Sequence, residues 1–283
     1  MSVRSAGFID LHLHTTASDG QCSPRELVER AARAGVSVMA VTDHDTTAAV
    51  SEVREAARGY GIHTIPGIEI TAVDNERDIH VLGYLIDPDE PGLAAFLATQ
   101  RAARLERVKA ISTRLASLGV PIDVDPLLQR AASQRGRSLG RPEVARAMVA
   151  AGHVSSVQEA FDRFLAHGLP GFVPREGASS ETVVAVIHGA RGIASLAHPG
   201  KFSLEKRLAS LAEVGLDAVE VFHPDHDPNL VERYRTLAHG LGLLMTGGSD
   251  FHGDPAHGRE PGSVCLPPAE FERLCEVRPD AAS

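Results

Sequence analysis

Two histidines two residues apart, His12 and His14, close a short apolar alternation, Ile9-Asp10-Leu11-His12-Leu13-His14. In an extended strand residues i and i+2 leave on the same face, so both imidazoles aim at one point, the spacing of paired metal ligands. Asp19 follows in a Ser18-Asp19-Gly20 turn that can fold its carboxylate back over the strand end. Taken alone, His-x-His fits a strand with two hydrogen-bonded histidines and a capping aspartate equally well. The same arrangement, however, returns along the chain. Thr42-Asp43-His44-Asp45 follows the apolar run Val36 to Val41, Glu69 follows Ile65-Pro66-Gly67-Ile68, His198 follows Ile193 to Ala197, and Ser249-Asp250-Phe251-His252 follows Leu243 to Thr246.

Helix signals separate these runs. Ser23-Pro24-Arg25-Glu26 reads as a cap, a proline in the first turn and a capping-box glutamate, and Thr46 is expected to open a second helix. Strands alternating with helices of about a dozen residues predict βαβ units and a mostly parallel sheet, hence an α/β fold. A fourth strand, Asp78 to Tyr84, carries His80 near its start, and Asp217 to Phe222 is a further one. The alternation stops at Pro91, where a long Arg/Ala-rich helical pattern runs to about Leu118 and further helices follow over 142–151 and 157–167. Residues 91–175 are therefore expected to be a helical insertion, with 1–90 and 176–283 forming a seven-stranded TIM-like barrel or near-barrel. The C-terminal rim of such a barrel gathers His12, His14, His44, Glu69, His198, Asp250 and His252. Buried without partners, each would cost on the order of 1 kcal/mol or more, a cost that metal coordination removes.

Composition narrows the class. Apolar residues make up 43% and charged residues 23% of 283 positions, as in an ordinary globular chain long enough for a sizeable core. Cys22, Cys265 and Cys275 are too few and too scattered for a disulfide framework, and the chain shows neither a secretory-type apolar start nor a long apolar run. A cytoplasmic protein with no membrane partner is expected. The net charge of −9 argues against holding long DNA by phosphate neutralisation. A local basic stretch persists, since residues 101–146 hold ten Arg or Lys against four acids.

As a set, Asp-Leu-His-Leu-His at 10–14, Ser-Asp-Gly at 18–20, Thr-Asp-His-Asp at 42–45, Pro-Gly-Ile-Glu at 66–69, Ile-His at 79–80, Ala-His-Pro-Gly at 197–200 and Gly-Ser-Asp-Phe-His at 248–252 resemble the PHP (polymerase and histidinol phosphatase) phosphoesterases. The resemblance spans nearly the whole chain and implies the PHP fold, a distorted (β/α)7 barrel. The helical insertion further resembles the subgroup that acts on nucleoside 3′,5′-bisphosphates or on short RNA from its 5′ end. Carried over by position, one metal takes His12, His14, Glu69 and Asp250; a second takes Glu69, His80 and His198; a third takes Asp19, His44 and His252. Two to three divalent ions are implied, and imidazoles mixed with carboxylates suit Mn, Fe or Zn. Asp10, Asp43 and Asp45 could orient imidazoles or cap the following turns. Gly140-Arg141-Pro142-Glu143 resembles the subgroup's phosphate-contacting segment, placing Arg141 on substrate; the family commonly has His where this chain has Glu143. Lys201, after Ala-His-Pro-Gly, and His226 are further candidate substrate contacts.

The implied chemistry is hydrolysis of a phosphate monoester by metal-activated hydroxide, with a small phosphorylated nucleotide as substrate. Neither a Gly-x-Ser-x-Gly elbow nor a phosphate-cradling P-loop is present in the sequence. A 5′-3′ exoribonuclease would share the metals and use the basic insertion to grip RNA, although three Tyr, nine Phe and no Trp provide few stacking surfaces. A noncatalytic metal-binding regulatory module is the alternative of another class, and it would be expected to have lost ligands.

Overall fold

The computed structural model describes residues 7–277 apart from 203, 256 and 257. One sheet holds seven strands in chain order: β1 (Phe8–Leu13), β2 (Val36–Val41), β3 (His63–Asp74), β4 (Arg77–Tyr84), β5 (Ile193–Leu196), β6 (Ala218–Phe222) and β7 (Leu244–Gly247). Beyond β7 the chain meets β1 through a single parallel bridge, Leu13 to Phe251, so the sheet curls toward closure without a full ladder at the seam. This is a distorted α/β barrel.

The three strands on each side of β4 run parallel, while β4 is antiparallel to both β3 and β5. The expected strand–helix alternation therefore fails once. Asn75 and Glu76, both at positive φ (50° and 62°), make a two-residue turn that joins β3 directly to β4. β3 is also longer than the sequence suggested, running past Glu69 to Asp74. The reversal has a functional consequence: His80 lies opposite Thr71 in the register, two residues from Glu69, at the rim where the other histidines gather.

Outside the sheet, α1 (Pro24–Arg33) opens on the Ser23/Glu26 capping box. α2 (Val50–Arg58) starts later than expected, because the Thr46 hydroxyl accepts from the Ala48 amide in a tight turn instead of capping a helix. Between β4 and β5 come α3 (Pro91–Ser117), α4 (Asp125–Ser133), α5 (Arg141–Ala150) and α6 (Val157–Ala160). The helix expected over 157–167 instead passes into a π-helical turn at Phe161–Leu165. These helices carry an apolar cluster of their own, including Val108, Ile111, Leu115, Val144, Met148 and Leu165. The barrel is completed by α7 (Ser180–Gly189), α8 (Glu205–Glu213), α9 (Pro228–Leu241) and α10 (Pro268–Val277). Among the described residues no helix is long and apolar enough to cross a membrane.

Candidate metal centre and its arginine wall

His12 and His14 leave β1 on the same face, fully buried, with ring centroids 5.2 Å apart. Two glycines let neighbouring segments press against that strand end. A Cβ on Gly20 would lie 2.6 Å from the His14 carbonyl carbon, and one on Gly248 would collide with the His12 backbone nitrogen. Those close approaches bring Asp19 and Asp250 over the two imidazoles. Asp250 and His198 both hold positive φ (50° and 29°), a strained backbone of the kind that clusters at functional sites.

Glu69 occupies the middle of the cluster and uses its two oxygens differently. Oε2 lies 3.1 Å from His12 Nε2, 3.2 Å from His14 Nε2 and 3.3 Å from His44 Nδ1. Oε1 lies 2.8 Å from His80 Nδ1 and 3.1 Å from His198 Nε2. Asp250 Oδ1 stands 3.4 and 3.5 Å from the same His12 and His14 nitrogens. On the outer side, Asp19 meets His252 Nε2 at 3.3 Å, His44 Nε2 at 3.6 Å and His14 Nδ1 at 3.8 Å. All nine side chains singled out from the sequence thus converge, and the ligand atoms that lie within 4.8 Å of one another fall into three overlapping groups: His14, Asp19, His44 and His252; His12, His14 and Asp250; His44, Glu69 and His80.

Many of these contacts are close without being hydrogen bonds. Both ring nitrogens of His14, and Nδ1 of His44 and His80, are buried with no hydrogen-bond partner. Lone pairs that crowd one point need positive charge between them, supplied by protons or by a cation. Burial alone lowers His14, but Asp250 and Glu69 outweigh it and raise the imidazole to about 10. Burial wins at His44, lowering it to about 3 despite Glu69 and Asp19. Glu69 is held well below its usual range because His44, His80 and His12 outweigh its burial. Orphaned nitrogens beside ionised carboxylates fit transition-metal ions, which would replace the protons.

Residues not singled out from the sequence support this cluster. Glu220, fully buried in β6, accepts from His12 Nδ1 at 2.8 Å and from the His198 amide at 2.7 Å, leaving His12 Nε2 to face Glu69. His223 Nε2 lies 3.3 Å from Asp250 Oδ2, and Arg259 bridges Asp250 and Asp225. Of the three aspartates considered as imidazole partners, none hydrogen-bonds an imidazole among the described residues. Asp10 accepts from the amides of His12, Ser249 and Gly262, and Asp43 holds Thr15 and Ser18. Asp45 binds the arginines of the insertion.

That insertion closes a cavity of ≈ 290 Å³ over the cluster, with Arg104, Arg107, Arg141 and Arg175 in its wall. The guanidiniums are pinned in pairs. Asp45 Oδ2 accepts from Arg104 Nε at 2.5 Å and Arg175 Nη2 at 3.0 Å, while Asp78 Oδ2 accepts from Arg107 Nη1 at 3.0 Å and Arg141 Nη2 at 2.9 Å. The arginine pair outweighs the burial of Asp78 and brings its carboxyl down to about 2. Arg141 also packs near Phe161 and Phe172, 5.8 and 5.9 Å from their ring centres. Four cations facing two carboxylates leave a positive wall opposite the histidines.

The other sequence candidates lie elsewhere. Glu143 is buried and caps α5 through the Gly140 amide, while Arg146 reaches its other oxygen at 3.4 Å. His226 spends both ring nitrogens on the fold, at the Val221 carbonyl and the Gly200 amide, and stacks on Tyr234. The Lys201 side chain lies outside the described residues.

Comparison with known proteins places these features in context. The PHP domain family matches residues 10–140. The chain is 40% identical over 250 residues to the 5′-3′ exoribonuclease Rnm of Escherichia coli, covering 86% of this chain and 84% of that one. It is 34% identical over 266 residues to the 3′,5′-nucleoside bisphosphate phosphatase of Chromobacterium violaceum, covering 92% and 93%. A solved chain from Bifidobacterium adolescentis, described provisionally as a metal-dependent phosphoesterase, superposes with a TM-score of 0.86 at 34% identity over 96% of both chains.

Proposed function

The chain belongs to the PHP family of metal-dependent phosphoesterases, and from that premise we propose that it removes the 3′-phosphate of nucleoside 3′,5′-bisphosphates, giving the 5′-nucleotide and phosphate. The observation that carries this reading is a cavity in which Glu69, with one oxygen toward His12, His14 and His44 and the other toward His80 and His198, faces four arginines. A substrate with two phosphates can place one at the histidine cluster and the other on the arginine wall.

His12, His14, Glu69 and Asp250 would hold one ion, Glu69, His80 and His198 a second, and Asp19, His44 and His252 a third, of Mn, Fe or Zn. When bound, such ions supply hydroxide near neutral pH and neutralise the nonbridging phosphate oxygens. The protein's own part is orientation. Glu220 fixes the His12 tautomer, and Asp78 holds the forks of Arg141 and Arg107 so that phosphate recognition costs little further side-chain entropy. Residues 91–175, with their separate apolar cluster, act in this reading as a capping unit over a barrel formed by 1–90 and 176–283. Water adds to the 3′-phosphorus, the P–O3′ bond breaks, and O3′ leaves with a proton as the nucleoside hydroxyl.

The test is phosphate release from adenosine 3′,5′-bisphosphate and from p-nitrophenyl phosphate by chelated protein given back Mn²⁺ or Zn²⁺. The reading expects metal-dependent turnover with a large preference for the bisphosphate. Equal turnover of both esters, or none of the bisphosphate, would overturn it.

A further inference from the structure

Asp250 turns its two oxygens to different tasks. Oδ1 faces the cluster, 3.4 Å from His12 Nε2 and 3.5 Å from His14 Nε2. Oδ2 faces away from those rings, where Arg259 Nη1 donates to it at 3.1 Å and His223 Nε2 lies 3.3 Å off. Neither of these two side chains belongs to the ligand set. His223 directly follows β6 and Arg259 lies between β7 and α10, so two separate loops converge on one carboxylate oxygen.

Asp225 organises both donors. Its backbone amide donates to His223 Nδ1 at 3.1 Å, so the proton of the neutral ring stands on Nε2, the nitrogen that faces Asp250. Its carboxylate accepts from Arg259 Nη2 at 2.6 Å, which leaves Nη1 of the same planar fork for Asp250. His223 and Asp250 are both buried, where water competes little for these bonds. Arg259 is more open, its side chain 19% exposed. Asp250 also holds a φ of 50°, a backbone conformation that persists only when its surroundings support it.

We propose that His223 and Arg259 are positioning residues that make Asp250 a one-oxygen ligand: they engage Oδ2 and hold Oδ1 toward the ion shared with His12 and His14. Without them the carboxylate is free to rotate and present either oxygen, and an ion that binds must freeze that freedom out, which lowers its affinity. Hydrogen bonds behind a metal ligand typically change metal affinity by about 10–100-fold. The role rests on the ion assignment proposed above, which gives Asp250 to one ion alone. Loss of either donor should therefore weaken one ion and spare the others.

The experiment reads ion retention directly instead of turnover. Zn²⁺-loaded protein is dialysed against graded concentrations of a chelator, and zinc per chain is counted for wild type, Arg259→Met, His223→Phe, Arg259→Lys and Asp250→Asn, with thermal melting to confirm folding. In Arg259→Met and in His223→Phe one ion should leave at a chelator concentration about ten- to a hundredfold below that for wild type, while the remaining ions leave where they do in wild type. Arg259→Lys, which keeps a cationic donor, should fall nearer wild type. Adding Arg259→Met to Asp250→Asn should cost nothing further, because the residue it acts through is already lost. If one single variant fails to fold, the other carries the test. Wild-type retention of every ion in the folded variants, equal weakening of all ions, or full additivity with Asp250→Asn would overturn the positioning role alone. A wild type that takes up no zinc would overturn the underlying ion assignment with it.

Discussion

The histidine cluster and the arginine wall face each other across one cavity, yet they are built on opposite principles. In the wall each guanidinium has a buried anionic partner: Asp45 for Arg104 and Arg175, Asp78 for Arg107 and Arg141. In the cluster both ring nitrogens of His14 and Nδ1 of His44 and His80 are buried without a hydrogen-bond partner, and Glu69 touches five imidazoles without satisfying all their nitrogens. One region has each of its charges paired within the protein, with only Arg107 Nη2 and Arg175 Nε of its guanidinium nitrogens buried without a hydrogen-bond partner, and presents a fixed positive surface. The other gathers imidazole nitrogens and carboxylates whose chemistry suits a bound cation. Removing a residue from the cluster should therefore remove chemistry, whereas removing one from the wall should cost stability or selectivity.

The largest effect is expected at the bridge. Glu69→Gln removes the carboxylate that the proposed function shares between two ions, and turnover of every phosphate ester should fall by at least about a thousandfold, roughly 4 kcal/mol on the barrier. Full activity with full metal content in this variant would erase the distinction between the two regions. Next comes the wall's own anchor. Asp45→Asn leaves Arg104 and Arg175 buried beside a neutral group, and denaturant melts should show a loss of about 3–5 kcal/mol. An unchanged midpoint would mean that the wall is not held by that pairing.

Selectivity should move by a smaller amount. Arg141→Ala is expected to lower kcat/KM for adenosine 3′,5′-bisphosphate by roughly ten- to a thousandfold, about 1.4–4 kcal/mol, while p-nitrophenyl phosphate changes little. Equal losses on both would make Arg141 a purely structural arginine. The smallest effect concerns Glu143, which burial, aided by the nearby Asp19 charge, raises from 4.5 to about 7. Between those values the folded protein keeps a proton that the unfolded chain has released, so stability falls as pH rises through the window. Glu143→Gln should therefore gain on the order of 1–3 kcal/mol over wild type in metal-free protein above pH 7 and nothing below pH 4. Melting curves at both pH values decide it, and a gain that does not depend on pH would contradict the assignment.

The cluster was more legible in the sequence than the wall, for a physical reason. A ligand at a strand end is announced by an apolar run that stops in a His, Asp or Glu, and that signal found His44, His198 and Asp250. The same signal stood at His223, directly after Ala218-Val219-Glu220-Val221-Phe222, and Glu220 was conspicuous as an acid inside a buried strand. Both support the cluster, while His226, chosen instead, holds the fold. The reversal at β4 was harder to read, because Asn75-Glu76 is short and resembles a strand end before a helix. Arg104 and Arg107 were obscured because a solvated helix face and a wall of paired cations have the same composition. Only the register of α3 against Asp45 and Asp78 separates them.

The most direct test of the account is the metal content of the protein purified without chelator, measured by elemental analysis against protein concentration. The account predicts two to three transition-metal ions per chain, or their recovery when Mn²⁺ or Zn²⁺ is supplied after stripping. Fewer than one ion per chain, with none regained, would contradict it.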